Sequence, residues 1–305
     1  MRLFRHYIPR NDNYQWFGKI VDILGYKMKN ILITGCSQGI GFDLALFLKD
    51  KGFNVIASMR NLSNSNKLKE EAGKIKNGNL DIFQIDVDNV DSVNKGISEI
   101  SEKYKTIDVL VNNAGYGIAG PIEDISEDEI RSQYNTNVFG VVRVIKAIVP
   151  IMREMGHGRI INISSGLANV SLPMLGTYSS TKWALEAISE SLYYELSLWN
   201  IDVVVIQPGQ INTEFSKSSL KVSQKTLTGQ SVYQELSSKV KDMSEKRCNK
   251  LNTLPITVSK VIYKAIVAKK PKFRYRAGKD SKQLAFARKI LPDKLIMKIF
   301  KKAMS

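Results

Sequence analysis

Residues 30–41 read NILITGCSQGIG, an apolar strand pattern that runs directly into a glycine-rich turn. A helical pattern, GFDLALFLKDKG, follows over residues 41–52, and Gly52 suits the carboxyl end of a helix. The next run, NVIASM (residues 54–59), is rich in apolar residues and indicates a second strand. This order of strand, turn, helix and strand predicts a right-handed β-α-β unit with parallel strands.

The same alternation continues along the chain. Runs such as IDVVVIQ (residues 201–207) do not alternate apolar and polar residues, which is typical of a strand covered by helices on both faces. We therefore predict an α/β fold, a single domain built on a doubly wound parallel sheet. Further strand patterns lie at residues 80–86, 107–113, 159–164 and 272–278, and helical patterns lie at residues 63–76, 90–104, 126–133, 136–155 and 178–198.

Three segments fall outside this alternation. Residues 1–27 show no clear periodicity, and we expect an N-terminal extension of unknown role there. Residues 214–254 are polar and weakly helical, and a long excursion after a strand is where a substrate lid lies in an open α/β sheet. A surface insert is the alternative. We predict the main domain over residues 28–280, with the lid inside it and a basic C-terminal helical extension at 281–305.

Composition excludes several classes of protein. Of 305 residues, 43% are hydrophobic and 24% are charged, which fits a globular chain rather than a disordered one. The two cysteines exclude a disulfide scaffold. No run approaches the roughly 18 apolar residues of a membrane-spanning helix, and the N-terminus lacks the apolar region of a secretory signal. We expect a cytoplasmic protein, with membrane association as a further possibility.

Positive charge is concentrated at the C-terminus. The net charge is +16, and residues 260–305 hold 15 Lys and Arg against 2 Asp and Glu. The rest of the chain is nearly neutral, which argues against a nucleic-acid-binding domain. Apolar residues lie among the lysines of 281–305, and Pro292 should divide this segment into two helices. Such helices could lie on an anionic membrane, or could pack on their own domain or on a partner.

The glycine turn TGCSQGIG (residues 34–41) suits a phosphate-bearing ligand. Glycines permit a tight turn, and the main-chain N–H groups at a helix N-terminus can approach a pyrophosphate. Simple turn chemistry is the alternative. The second strand ends in ASMR (residues 57–60), without the acidic residue that binds both ribose hydroxyls of NAD. Arg60 offers donors for a 2′-phosphate, so we favour NADP over NAD, although it could also be a surface arginine.

Tyr178 and Lys182 lie four residues apart on a helical pattern and should share one face. A phenol has a pKa of about 10, and a nearby ammonium group lowers it, which makes proton transfer to or from a substrate oxygen feasible. Ser165 ends a strand at the edge of the sheet where ligands bind, and it could hydrogen-bond the reacting oxygen. The alternatives are a surface pair on a helix and a serine-capped strand end.

Together these residues resemble a family. TGCSQGIG, NNAG (residues 112–115), Ser165, the Tyr178/Lys182 pair and PG (residues 208–209) are similar to the ordered motifs of the short-chain dehydrogenase/reductases. The resemblance is to the TGxxxGxG branch, in particular to its hydroxysteroid and retinol dehydrogenase-like members, and covers about residues 28–280. It implies a Rossmann-type parallel sheet of about seven strands and an oxidoreductase that interconverts carbonyls and alcohols with a nicotinamide cofactor and no metal.

The resemblance also implies roles for individual residues. Tyr178 would be the acid/base, Lys182 would hold the ribose and depress the tyrosine pKa, and Ser165 would stabilise the substrate carbonyl. Asn137 would anchor a proton-relay water through a helix distortion. Gln38 departs from many NADP-using members, which have a basic residue there, so Arg60 alone argues for the 2′-phosphate. The implied cofactor contacts are Gly35, Ser37, Gln38, Gly39, Ile40, Gly41, Arg60, Asp86, Val87, Asn113, Ala114, Gly115, Tyr178, Lys182, Pro208, Gly209, Ile211 and Thr213.

The substrate is expected to be a small lipophilic carbonyl compound or alcohol. Apolar residues near the expected pocket support this interpretation, and loop packing is the alternative. Two other functions stay open: reduction of a 3-oxoacyl thioester on an acidic carrier protein, and a catalytically silent NADP-binding sensor. A sugar-nucleotide epimerase is disfavoured by the glycine spacing. The family resemblance further implies a homo-oligomer. The expected substrate contacts are Ser165, Leu167, Met174 and Tyr178, with Val170, Leu172 and Leu175 nearby.

Overall fold

A seven-stranded parallel sheet forms the centre of the structure, a computed structural model that describes residues 29–211, 220–251 and 253–304. Its strands are β1 (Asn30–Ile33), β2 (Asn54–Met59), β3 (Asn79–Gln84), β4 (Val109–Asn112), β6 (Gly158–Ile163), β7 (Ile201–Pro208) and β9 (Arg274–Ala277). They lie in the order β3-β2-β1-β4-β6-β7-β9, and every neighbouring pair is parallel. The predicted doubly wound sheet and the final strand are confirmed.

Helices cover both faces of this sheet. They are α1 (Gly39–Asp50), α2 (Asn66–Gly73), α3 (Val90–Tyr104), α4 (Glu127–Tyr134), α5 (Val141–Met155), α6 (Gly176–Leu196), α7 (Gln224–Leu227), α8 (Gln234–Leu251), α9 (Pro255–Val267), α10 (Lys279–Ile290) and α11 (Asp293–Met304). On β1, Ile31 and Ile33 pack in the core beneath α1 and α9, whereas Leu32 packs in the core beneath α3, α5 and α6. This alternation of side chains along one strand gives the sheet two apolar layers.

Two smaller features complete the fold. The pairing of two short strands was not predicted from the sequence, whereas a helix distortion at Asn137 was implied by the family resemblance. β5 (Gly117–Ala119) and β8 (Leu220–Val222) pair in parallel, which fixes the chain after residue 219 beside the chain that leaves β4. The helical stretch between α4 and α5 contains a π-helical turn, Asn135–Gly140. π-turns inserted in a helix displace one residue from the regular spacing and occur frequently at functional sites. This one carries Asn137.

The C-terminal extension forms two helices, α10 and α11, separated at Leu291 and Pro292 as the sequence predicts. α11 packs against both α8 and α10. Of the helices in the described part of the chain, none is long and apolar enough to cross a membrane. The predicted N-terminal extension at residues 1–27 lies outside the described residues, as do residues 214–219 and 252 of the segment predicted to be a substrate lid.

Candidate active site

The glycine turn after β1 packs tightly against the chain that leaves β4. Gly35 has a φ of +73°, and a Cβ built there would lie 2.8 Å from the Cα of Ala114. A Cβ on Gly41 would lie 2.4 Å from the carbonyl oxygen of Gly35. Only glycine satisfies both restrictions, because any side chain would push the turn away from its neighbour.

Asn113 and Thr34 hold this turn in place. The Asn113 Nδ2 donates to the carbonyl oxygens of Thr34 (2.9 Å) and Gly35 (3.0 Å). The Thr34 Oγ1 in turn accepts hydrogen bonds from the main-chain N–H groups of Asn113 (3.0 Å) and Ala114 (3.1 Å). These reciprocal bonds join the ends of β1 and β4, and they rigidify the edge of the sheet where a dinucleotide would lie.

A cavity of about 650 Å³ opens at this carboxyl edge of the sheet. It joins the glycine turn, the exit of β4, the end of β6 and the start of α6, so most residues that the sequence singled out share one space. The residues predicted as functional that line it are Gly35, Ser37, Gln38, Ile40, Arg60, Asp86, Val87, Asn113, Ala114, Gly115, Ser165, Leu167, Tyr178, Lys182, Pro208, Gly209 and Ile211.

Several predicted residues do not line the cavity. Gly39 and Gly41 lie in the turn behind it, and Asn137 is fully buried beside it. Met174, expected as a substrate contact, is buried outside the lining, with a φ of +66° and its carbonyl bonded to the N–H of Gly120 (2.8 Å). That backbone conformation turns the loop before α6, so Leu172 and Leu175 line the cavity in its place. Thr213 lies outside the described residues.

Tyr178 and Lys182 occupy the first turns of α6 and lie one helical turn apart. The Lys182 Nζ is 5.8 Å from the centre of the Tyr178 ring and donates a hydrogen bond to the carbonyl oxygen of Ile163 (2.9 Å). This bond ties the lysine to the end of β6, directly before the Ser164-Ser165 pair. The arrangement places a phenol, an ammonium group and a serine hydroxyl at one wall of the cavity.

Burial determines the protonation of both groups. Burial lowers the pKa of Lys182 to about 8, and the neighbouring carboxylate of Glu186 acts in the opposite direction. Burial likewise raises the pKa of Tyr178 to about 12, and a hydrogen bond with Ser165 partly offsets it. The pKa of Tyr178 is raised and not lowered, because desolvation penalises the phenolate more than the hydrogen bond with Ser165 stabilises it. At neutral pH the protonated phenol is therefore the stable form.

The Ser165 hydroxyl lies in the same wall, and the residue is 8% exposed. Its Oγ accepts a hydrogen bond from the N–H of Leu167 (3.1 Å), which fixes the side chain at the start of a short 3₁₀ turn, Gly166–Ala168. A hydroxyl that accepts from the backbone keeps its own proton free to donate. Ser165 can therefore donate to an oxygen bound beside Tyr178.

The buried side chain of Asn137 is held in place by three hydrogen bonds. Its Nδ2 donates to the carbonyl oxygen of Tyr116 (2.8 Å) and to the Thr181 Oγ1 (3.1 Å), and its Oδ1 accepts from the N–H of Tyr116 (3.0 Å). The helix distortion implied by the family resemblance is present as the π-turn. A Cβ on Gly115 would come within 3.0 Å of the Asn137 Oδ1, so this glycine permits the close approach.

Part of the cavity wall was not identified from the sequence. It comes from α8, α10 and α11, and a weak periodicity in the sequence does not reveal which distant parts of the chain these helices contact. These residues are Val240, Met243, Ser244 and Arg247 on α8, Asp280 and Leu284 on α10, and Phe300 on α11. Most of them are apolar, and the wall of the cavity as a whole is mainly apolar.

The other reactive side chains of the region offer no second centre. Cys36, inside the glycine turn, is fully buried, and burial raises the pKa of its thiol to about 12. Its Sγ donates to the carbonyl oxygen of Ile33 (3.2 Å), so it is a packing residue rather than a nucleophile. Within residues 29–211, 220–251 and 253–304, no cluster of three His, Cys, Asp or Glu side chains is placed to hold a metal ion.

Two curated relatives resemble this chain over most of its length. The 3-ketodihydrosphingosine reductase of Bacteroides thetaiotaomicron is 35% identical over 268 residues, which cover 87% of this chain and 94% of the relative. Retinol dehydrogenase 8 of Bos taurus is 33% identical over 258 residues, which cover 82% of this chain and 81% of the relative.

Solved structures agree with these relatives. A short-chain dehydrogenase from Streptomyces avermitilis superposes with a TM-score of 0.77 and 27% identity, covering 90% of this chain and 96% of that chain. A serine dehydrogenase complexed with NADP⁺ superposes with a TM-score of 0.69 and 26% identity, covering 81% and 93%. The family model described as short chain dehydrogenase matches residues 29–223. The chain therefore belongs to the short-chain dehydrogenase family of oxidoreductases, which interconvert carbonyl compounds and alcohols.

Proposed function

We propose that this protein is an NADP(H)-dependent oxidoreductase that interconverts a lipophilic ketone or aldehyde and its alcohol, with Tyr178 as the acid/base. The observation that carries the proposal is the composition of the one cavity described above. It joins a glycine-lined turn to a phenol, a serine hydroxyl and a buried ammonium group, and then continues between apolar side chains. The names of the two relatives, a ketodihydrosphingosine reductase and a retinol dehydrogenase, support a lipophilic substrate.

The turn after β1 fits a dinucleotide cofactor. Gly35 and Gly41 let this turn pack closely on Ala114 and on itself, where a Cβ would clash. The tight turn leads into the start of α1, whose main-chain N–H groups can approach a pyrophosphate. Asp86, Val87 and the Asn113-Ala114-Gly115 segment line the same part of the cavity, where adenosine would lie. The bound nicotinamide supplies or accepts the hydride.

Arg60 supports a preference for NADP(H). It lies at the end of β2, exposed and lining the cavity, and neither Met59 nor Arg60 at that strand end is acidic. A guanidinium group can bind a 2′-phosphate through paired charge-assisted hydrogen bonds. The NADP⁺ of the similar serine dehydrogenase is consistent with this assignment.

The proposed proton transfer follows from the protonation state of each group. In the reductive direction, hydride adds to the carbonyl carbon and the Tyr178 phenol donates its proton to the oxygen, which gives the alcohol. Because its pKa is raised to about 12, Tyr178 carries this proton at neutral pH. Ser165 donates a hydrogen bond to the same oxygen, and the Lys182 ammonium group stabilises the negative charge left on the tyrosine. In the oxidative direction Tyr178 accepts the proton of the alcohol and the hydride leaves the same carbon for the cofactor.

The proposal also includes a substrate lid and a homo-oligomer. We place the catalytic unit at residues 28–280 and assign the segment 214–254 as its substrate lid. Val240, Met243 and Arg247 of α8 support the lid assignment because they line the cavity. The exposed Tyr194 and Leu198, at the end of α6 and directly after it, support a homo-oligomer formed through α5 and α6. We propose a cytoplasmic location.

The test is NADPH consumption by the full chain, followed by absorbance, across a panel of carbonyl compounds. The panel contains a long-chain amino ketone, a retinoid aldehyde, a steroid ketone, a simple aryl ketone and a 3-oxoacyl thioester. Turnover of the lipophilic members that is lost in Tyr178→Phe supports the proposal. Turnover confined to the thioester would replace it with the thioester reductase function, and NADPH binding without turnover on any member would favour a silent sensor.

A further inference from the structure

The helices α10 and α11 form one side of the cavity. Leu284 of α10 and Phe300 of α11 line it, and Ile296 of α11 is only 3% exposed, so one side of this helix pair packs on the body of the protein. α11 also packs against α8, whose Met243 lines the same cavity. The pair therefore separates the proposed substrate cavity from the exterior.

The outer side of the same pair is unusually apolar for a surface. Phe286 and Ile290 lie one turn apart on α10 and are 67% and 58% exposed. On α11, Met297 is 63% exposed, and Leu295 and Ile299 are about half exposed. Two short adjacent helices therefore expose five large apolar side chains, and exposed apolar area of this extent is typical of an interaction surface.

This outer surface is also strongly cationic. The same two helices expose the side chains of five lysines among and beside these apolar residues: Lys282, Lys289, Lys294, Lys298 and Lys301. The segment from 279 to 304 contains only two acidic residues, Asp280 and Asp293. Asp280 is buried and Asp293 pairs with Arg288, so neither places an unpaired negative charge on the surface.

We propose that the outer side of the α10–α11 pair docks on an anionic lipid bilayer, with the apolar side chains at the level of the acyl boundary and the lysines among the headgroups. Interfacial helices of this composition bind by the sum of apolar burial and attraction to anionic lipid. The inner side of the same pair lines the cavity, so docking would bring the cavity to the membrane surface. A lipophilic substrate could then pass from the bilayer without crossing water, and this last step rests on the proposed function.

The positive charge of this surface favours an anionic bilayer over a second copy of the chain or an acidic protein. A second copy of the chain would bring two surfaces of the same positive sign together across a symmetric interface. An acidic protein would satisfy the lysines, but the exposed apolar residues are distributed over two helices and are not gathered on one. A bilayer presents negative charge and an apolar layer over one continuous surface.

The experiment is sedimentation of the full chain with vesicles of phosphatidylcholine alone or mixed with phosphatidylserine, at low and high salt. Two double variants each weaken one component of the surface. Phe286→Ser with Met297→Ser removes apolar side chains, and Lys289→Gln with Lys298→Gln removes positive charges. None of these four residues lines the cavity. The matched controls are Val232→Ser, which is 82% exposed, and Lys95→Gln, which is exposed on α3.

We expect the wild type to bind the mixed vesicles more strongly than the neutral ones, and salt to weaken this binding. Each double variant should lower the partition coefficient by about fivefold or more, and each control by less than about twofold. Absence of binding to the mixed vesicles would overturn the proposal, as would double variants that bind like the wild type. A wild-type oligomer that dissociates in the double variants would identify the surface as a contact between copies, which also overturns it.

Turnover of a water-soluble aryl ketone without vesicles separates this inference from the proposed function. If all variants keep this turnover and the wild type binds no vesicles, only the docking proposal fails. If vesicle binding behaves as expected and no carbonyl compound is turned over, the docking surface stands and the proposed function fails. Because the readout is sedimentation, it does not depend on finding the substrate.

Discussion

The Lys182 ammonium nitrogen lies 5.8 Å from the centre of the Tyr178 ring, one helical turn away on α6. The same lysine donates to the carbonyl oxygen of Ile163, so the Tyr178–Lys182 pair is fixed to the end of β6, two residues before Ser165. Burial favours the neutral form of each group: it raises the tyrosine pKa to about 12 and lowers the lysine pKa to about 8. The pair therefore combines a phenol that keeps its transferable proton with an ammonium group whose burial costs free energy.

Replacing Tyr178 with Phe removes the proton donor while preserving the ring. We expect the reductive kcat to fall by about 10²- to 10⁴-fold, the usual contribution of a general acid. NADPH binding, measured by fluorescence titration, should change by less than about threefold. Thr177→Ser, a neighbouring change on α6, is the control and should retain activity. A Tyr178→Phe enzyme with nearly full turnover would show that another group supplies the proton.

Replacing Lys182 with Met should change how stability depends on pH. The folded protein releases the Lys182 proton near pH 8, whereas the unfolded chain holds it to about pH 10.5. Between these values the unfolded state binds more protons, so stability rises with pH, and the cost of the buried charge is fully present below pH 8. The free energy of unfolding should be higher for Lys182→Met than for the wild type, and this difference should be largest at and below pH 8. The difference should shrink by up to roughly 3 kcal/mol by pH 10.5.

Urea unfolding at several pH values measures this difference. Both proteins must give the same slope with denaturant, since a change in slope would mean that the variant alters the compactness of one state rather than its protonation. Stability curves that run parallel from pH 8 to pH 10.5 would contradict a lowered lysine pKa. Subtraction of the two curves cancels the titration of every group that the substitution does not affect.

The central sheet could be predicted because β-strands leave a local pattern. Each buried strand is an apolar run, and the glycine turn lies at a fixed place after the first one. The cavity wall could not be predicted in the same way, since Arg247 and Phe300 reach it through contacts between distant parts of the chain. Met174, expected as a substrate contact, lies outside the cavity lining, because its position in the sequence does not reveal a left-handed turn, here a φ of +66°.

Arg60 provides the test of cofactor preference. Arg60→Ala should raise the KM for NADPH by about tenfold or more, because a charge-assisted hydrogen bond to a phosphate contributes about 1.5–3 kcal/mol. The KM for NADH should stay within about twofold, since that cofactor lacks the 2′-phosphate. Steady-state kinetics with both cofactors at a fixed carbonyl substrate measure the ratio. Equal effects on the two cofactors would assign Arg60 a role at the surface that is unrelated to the extra phosphate.

The last prediction concerns Gly209 and Asp280, which line the cavity next to the end of β7. The Asp280 Oδ2 accepts from the N–H of Gln210 (2.7 Å), and a Cβ on Gly209 would lie 1.8 Å from the Asp280 Oδ1. That distance is far inside van der Waals contact, and the obstructing atom belongs to a buried carboxylate that cannot move without losing its bond to the loop. Gly209→Ala alone should therefore destabilise the protein by roughly 1–3 kcal/mol through overpacking.

A double-mutant cycle separates this clash from any general intolerance of alanine at position 209. Asp280→Ala alone should also destabilise, since it leaves the N–H of Gln210 without its acceptor. In the Asp280→Ala background, however, the obstructing oxygen is gone, and Gly209→Ala should cost less than about 0.5 kcal/mol. The coupling between the two sites should reach about 1 kcal/mol or more in urea unfolding. Additive effects would mean that Gly209 is required for its backbone and not for the space that Asp280 occupies.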